Sequence, residues 1–173
     1  QPLSADKPGE GLHKFSAFTS STCQLRPESR GHLDVTSPDA HDYPKIHPNY
    51  LATHTDKQAA VDGMKLSRKF AATKALSEAI SEEWLPGPDV QTDEQYLAAA
   101  RRIAQTIYHP VGTCRMGTDD HAVVDPRLRV RGIDGLRVAD ASIMPTITSG
   151  NTNAPAIMIG EKAAEMILGD AKG

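Results

Sequence analysis

Pro110 sets the strongest single limit on how this chain can fold. It has no amide hydrogen, and its ring disfavours helical geometry at the residue before it, so a helix approaching it should end by His109. Such a helix is signalled upstream. Thr92 followed three residues later by Gln95 is a capping-box pattern, Asp93 and Glu94 occupy the favourable first turn, and Tyr96, Ala100, Ile103 and Ile107 line one face. The spacing predicts a helix that runs directly into His109, which therefore stands at its end, just before the loop "PVGTCRMG".

Other punctuation divides the rest of the chain. Phe15–Leu25 and His32–Thr36 have β character and are joined by "RPESRG", which predicts an antiparallel pair. Pro44 and Pro48 each restrict the residue before them to extended geometry, so "AHDYPKIHPNYL" reads as a surface loop. From about Asp56, Ala60, Met64, Leu66, Phe70 and Ala71 recur at helical steps. They predict one long helix or two short ones, ended by Pro86 and Gly87. Beyond His109, short strands are expected at Leu128–Val130 and Leu136–Ala139 around a tight "GIDG" turn, followed by a helix over Pro155–Leu168 that stops at Gly169.

Composition removes several classes of function. The 173 residues suit one domain with a modest core, since only 5% are aromatic and the mean hydropathy is −0.42. A net charge of −3 and a pI near 6.2 leave no basic footprint for nucleic acid. No apolar run approaches the roughly 18 residues that would span a bilayer, and "QPLSADKPGEG" has no apolar core of a signal peptide, so a cytoplasmic location is the expectation. Cys23 and Cys114 are too few for a disulfide framework and read as reduced thiols. The polar opening on Gln1, with no initiator Met, reads as a piece of something longer.

Chemistry concentrates in two runs, and each has a plain alternative. His109, fixed by Pro110 beside a glycine-bearing loop, has the rigid placement a general base needs; the plain alternative, a histidine capping the helix C-terminus, is the one the sequence alone favours. In "TSGNTNAP", Asn151 or Asn153 could present a hydrogen bond, with the helix amides facing an anionic partner; or Asn153 could simply cap the helix. Asp140 in "VADAS" follows an apolar strand, where both ligand-binding and turn residues occur. A Cys114–His109 dyad has the wrong spacing for known cysteine enzymes, and there is no GxSxG elbow for a serine nucleophile. His41, His47 and His54 lack Asp, Glu or Cys at zinc-ligand spacing, so no metal is expected there. No GxGxxG or GK[ST] loop is present.

The runs "CQLRPESRG", "YHPVGTCRMG", "LRVADASIMP" and "GNTNAPAIMIGEKAA" resemble, in order, the C-terminal part of the glucose-methanol-choline (GMC) oxidoreductases, closest to bacterial choline dehydrogenase-like and alcohol dehydrogenase-like members. The resemblance implies an FAD enzyme that oxidises a small alcohol by hydride transfer to flavin. It implies that His109 accepts the alcohol proton and that Asn151 hydrogen-bonds the substrate oxygen. Asp140 and Ala141 would meet the FAD, and Thr152 and Asn153 would lie near the flavin ring. The implied fold is α+β: an antiparallel sheet with flanking helices over 12–108, belonging to the substrate-binding domain, and a catalytic loop and C-terminal segment over 109–173, whose strand and helix complete a Rossmann-like FAD domain.

The family's glycine-rich FAD-binding unit is missing here. It is therefore the expected partner of the chain, an exposed apolar patch is expected where it would dock, and the isolated chain is not expected to hold FAD or to turn over. Two rivals remain open at this stage: a folded module without catalysis, and a hydrolase using His109 with Ser142 or Cys114.

Overall fold

The computed structural model describes residue 5 and residues 11–172. It is α+β, with a small antiparallel sheet and four α-helices among the described residues. The chain forms two compact units. One contains the described residues up to Gln24, with Glu28–Arg30 and Asn49–Thr106; the other contains Leu25–Pro27, Gly31–Pro48 and the described residues from Ile107 onward.

The first unit is helical. Helix α1 (His54–Ala71) starts where the Thr53 side chain accepts the Asp56 amide at 3.3 Å and carries Arg68 and Lys69 in its last turn, which suits the helix dipole. A short α2 (Lys74–Ser77) follows, so where one long helix or two short ones were expected the chain forms one long helix and a single extra turn. They end before the predicted Pro86–Gly87 stop, because residues beyond Ser77 serve another purpose. Glu83 takes the Arg68 guanidinium in a two-pronged pair at 2.8 and 2.7 Å, and Gly87 O accepts a further Arg68 hydrogen bond at 2.8 Å. Arg68 also donates to Val90 O and the Tyr96 hydroxyl, tying α1 to the next helix.

That helix, α3 (Asp93–Ile103), opens on the predicted capping box, with Gln95 N donating to Thr92 Oγ1 and Thr92 N donating to Gln95 Oε1 at 2.9 Å. Tyr96, Ala99 and Ala100 are buried, as is Val61 of α1. The predicted run into His109 does not occur, because Ala104 turns extended. Helix length follows what there is to bury: Ile107, expected on the helix face, is 52% exposed.

Asp56 links this unit's loops to α1. Only 5% exposed, it accepts the backbone amides of Glu28 at 3.0 Å and Ser29 at 2.7 Å. Burial pushes its carboxyl up, but hydrogen bonds from the Ser29 side chain and amide, the Glu28 amide and the Thr53 side chain outweigh burial and hold it below the usual aspartate range. A lowered folded-state pKa stabilises above the unfolded pKa, and that contribution is lost as pH falls through the folded value. Asp56→Ala should therefore cost about 2 kcal/mol near neutral pH, the scale of leaving buried donors unmet. Urea denaturation should show the difference from wild type shrinking from about pH 4 downward.

The second unit holds the sheet. β1 (His32–Asp34) pairs antiparallel with β2 (Lys45–His47), with His32 opposite His47, Leu33 opposite Ile46 and Asp34 opposite Lys45. The expected partner, Phe15–Leu25, forms no strand, and Phe15, Phe18 and Leu25 are exposed. The strand lies instead in the segment read as a loop. The extended geometry that Pro48 imposes on His47 is strand geometry, so that signal marks a strand and not a loop.

The core of this unit gathers Val124, Leu128, Ile143, Met144, Ile159 and Ala163. The two expected strands after His109 meet as a single antiparallel bridge, Arg129 with Arg137, flanked by Val130 N to Leu136 O at 2.9 Å and Val138 N to Leu128 O at 3.1 Å. The last helix, α4 (Asn153–Asp170), is longer at both ends than expected. It buries Ile159 and Ala163 and leaves Ile157, Met158, Ile167 and Leu168 exposed. Its last residue, Asp170, is gripped by Arg127 and Arg137, which fixes the helix end that Gly169 was expected to stop. No helix among the described residues is long and apolar enough to cross a membrane.

Candidate functional site

His109 lies in irregular chain well past the end of α3, not at a helix terminus as the sequence suggested, so it caps no helix. Its direction is set by its neighbours. Tyr108 adopts a left-handed backbone, φ 60°, which is rare for an aromatic residue and turns the chain sharply. Pro110 follows. Gly112 then takes φ 89°, and a Cβ there would stand 3.3 Å from the Met144 carbonyl oxygen, so the loop passes closely over the next segment.

The loop is laced down by backbone hydrogen bonds, Cys114 N to Ser142 O at 3.0 Å and Met116 N to Ile143 O at 2.7 Å. Arg115 holds its far side by donating to Asp119 at 2.9 Å. The segment underneath begins at Asp140. Its carboxylate accepts the Ser142 amide at 2.7 Å and caps the 3-10 turn Ala141–Ile143. Hydrogen bonds from the Ser142 side chain and amide hold the Asp140 carboxyl below the usual aspartate range. Ser142 is thus committed to this turn through its amide and to the overlying loop through its carbonyl.

The imidazole itself is held by a residue far along the chain. His109 Nδ1 lies 3.1 Å from Thr152 Oγ1. Thr152 is buried and precedes α4, whose start has no side-chain cap and no acidic residue in its first turn. Asn153 is therefore not the cap that one reading of the sequence gave it; it is the first helical residue, and exposed. Asn151 is also exposed, and a little upstream Ser149 Oγ accepts Arg26 Nε at 3.1 Å, tying down the loop before the helix.

The fold thus joins His109 directly to Thr152, with Asn151 and Asn153 adjacent in the chain. Asp140 and Ala141 belong to the segment bonded beneath the His109 loop. Among the described residues, the hydrogen bond of the His109 ring goes to Thr152 and not to Ser142 or Cys114, the partners a hydrolase would require. Sequence reasoning missed the Thr152 hydroxyl as the holder of the imidazole, because the two residues are 43 positions apart and no local pattern joins them.

Residues 27–160 match the family model for GMC oxidoreductase. The chain belongs to the GMC oxidoreductase family. It is 47% identical over 151 residues to the alcohol dehydrogenase [acceptor] of Pseudomonas putida, an alignment covering 87% of this chain and 27% of that protein. It is 46% identical to the oxygen-dependent choline dehydrogenase of Pseudomonas fluorescens (strain SBW25), covering 97% of this chain and 30% of the relative. A solved FAD-dependent oxidoreductase from Chaetomium thermophilum superposes with a TM-score of 0.80 at 28% identity, over 86% of this chain and 26% of the other. This GMC chain therefore spans under a third of the length of the relatives it matches.

Proposed function

We propose that this chain supplies the catalytic segment of a flavin-dependent oxidoreductase that oxidises a small alcohol, choline or another aliphatic or aromatic alcohol, to an aldehyde or ketone. The observation that carries this reading is the hydrogen bond between His109 Nδ1 and Thr152 Oγ1. When Nδ1–H donates to the threonine oxygen, the lone pair is left on Nε2, which fixes the tautomer a general base requires. Nε2 then takes the alcohol proton, and the exposed Asn151 side chain donates to the substrate oxygen as negative charge grows there.

The donor set around α4 suits FAD. The helix start carries no side-chain cap and no carboxylate, so its free amides and the Asn153 side chain offer donors to an electron-rich ring. Thr152, also expected near the flavin, would belong to the same wall while its hydroxyl holds His109. Because the Asp140 carboxylate is occupied by the Ser142 amide, contact of Asp140 and Ala141 with the cofactor would run through backbone. FAD, when bound, would supply the hydride acceptor. In the same reading, residues 12–108 belong to a substrate-binding domain, while 109–173 return to complete a Rossmann-like FAD domain. The rest of that domain would come from the part of the relatives that this chain does not span, and the exposed Ile157 and Met158 would pack against it.

The test is a graft of this chain in place of the matching segment of the Pseudomonas putida alcohol dehydrogenase. A yellow protein whose flavin absorption is bleached by an alcohol, and far more slowly in the His109→Ala form, is the expected result. Absence of flavin uptake in a folded graft would overturn the reading and leave the chain as a non-catalytic module. Within the same graft, Thr152→Val should lower the bleaching rate by roughly 10- to 100-fold, the usual cost of removing the group that orients a functional imidazole. Thr152→Ser, which keeps the hydroxyl, should restore most of it.

A further inference from the structure

A second cluster of imidazoles and a carboxylate lies on the β1–β2 ribbon. Strand side chains alternate with a period of two, so His32 and Asp34 share one face, and the register sets His47 directly opposite His32 on that face. The two rings stack with centroids 4.6 Å apart and an interplanar angle of 19°. Both Nε2 atoms turn toward the same oxygen, Asp34 Oδ2, at 3.7 Å from His32 and 3.5 Å from His47. One ligand atom from each of the three residues lies within 4.8 Å of the others.

We propose that His32, Asp34 and His47 form a binding site for a divalent transition-metal ion of the zinc class. The distances exceed the roughly 2.7–3.2 Å of an N–H···O hydrogen bond, lie within ion-pair range, and come close to the edge of a coordination tetrahedron. Arms of about 2.0–2.1 Å to nitrogen and oxygen place neighbouring ligands about 3.3 Å apart. With their Nε2 lone pairs turned inward, the two imidazoles and the carboxylate would present three ligand atoms to one cation.

Two imidazoles and one carboxylate are a ligand set that suits zinc and its neighbours. The side chains are 67%, 55% and 49% exposed for His32, Asp34 and His47, so the ion has an open path and a fourth position for water. The site ties together two strands of three residues each, a ribbon too short to be stable on strand pairing alone. Its members escape a sequence search for zinc spacing because a long loop separates His47 from the His-x-Asp pair. Among the described residues, His41 in the loop between the strands and His54 at the start of α1 take no part.

Calorimetric titration of the whole chain with zinc, repeated with cobalt(II) to read the absorption of a tetrahedral ion, tests the proposal. One ion per chain is expected, with affinity reduced at least about tenfold by His32→Ala, His47→Ala or Asp34→Asn, and unchanged by His41→Ala or His54→Ala. In wild-type protein, zinc should move the ring proton resonances of His32 and His47 together and leave those of His41 and His54 in place, a readout that needs no variant to fold. Absence of uptake, uptake that survives loss of both His32 and His47, or resonance changes confined to other histidines would each overturn the proposal.

Discussion

His109→Ala, introduced into the grafted enzyme, is expected to slow alcohol-dependent bleaching of the flavin by about 10²- to 10⁴-fold, the range a positioned general base contributes. The size of the effect comes from rigidity. The imidazole is fixed by Thr152, by the left-handed turn at Tyr108 and by the backbone bonds from Cys114 and Met116 to the segment below. Water admitted by an alanine has no comparable placement. Flavin absorption and far-UV circular dichroism should stay as in the parent, because the core of this unit lies at Val124, Leu128, Ile143 and Ile159 and not at His109. A loss smaller than tenfold would move the proton acceptor elsewhere. In the proposed function Asn151→Ala should cost less, since it would remove one hydrogen bond to the substrate oxygen and leave the proposed base in place.

The largest structural loss is expected from Gly31→Ala. A Cβ built at Gly31 would stand 2.1 Å from the His47 carbonyl oxygen and 2.7 Å from that of Pro48. Both are backbone atoms of the partner strand and its exit, so no side chain can rotate away. Either the ribbon opens or its register shifts, and a shift of one residue would send His32 and Asp34 to the opposite face. Such overpacking costs about 3 kcal/mol or more, which should appear as a lower urea midpoint. Zinc uptake by the same variant should fall with the ribbon. An unchanged midpoint together with unchanged uptake would show that the close approach is not maintained in solution.

The parts of this architecture written in local chemistry could be read from the sequence. Thr92 and Gln95 announced the start of α3, and the apolar spacing after Asp56 announced α1, because caps and helix faces depend on residues within a few positions of one another. Pairing was less legible. Extended geometry around Pro44 and Pro48 was visible, but nothing local says which strand lies beside it. The place of His109 was misjudged for a related reason: helical composition continues past Ile103, while the burial that would sustain a helix does not. For the candidate site, four motifs pointed to the residues proposed, and only the fold revealed that Thr152 lies against the imidazole. The arrangement of His32, Asp34 and His47 depends wholly on strand register and left no trace in spacing.

The interleaved path of the chain bears on how it is made. Gly31–Pro48 belongs to the unit completed by residues from Ile107 onward, yet the whole stretch Asn49–Thr106 of the other unit lies between them. On a translating ribosome, at about 5–20 residues per second, the ribbon emerges several seconds before the segment it must join. The helical unit can assemble during that interval, while β1 and β2 wait as short, open-edged strands. A premature stop after Thr106 would release the helical unit with an orphaned hairpin, a natural target for quality-control proteolysis.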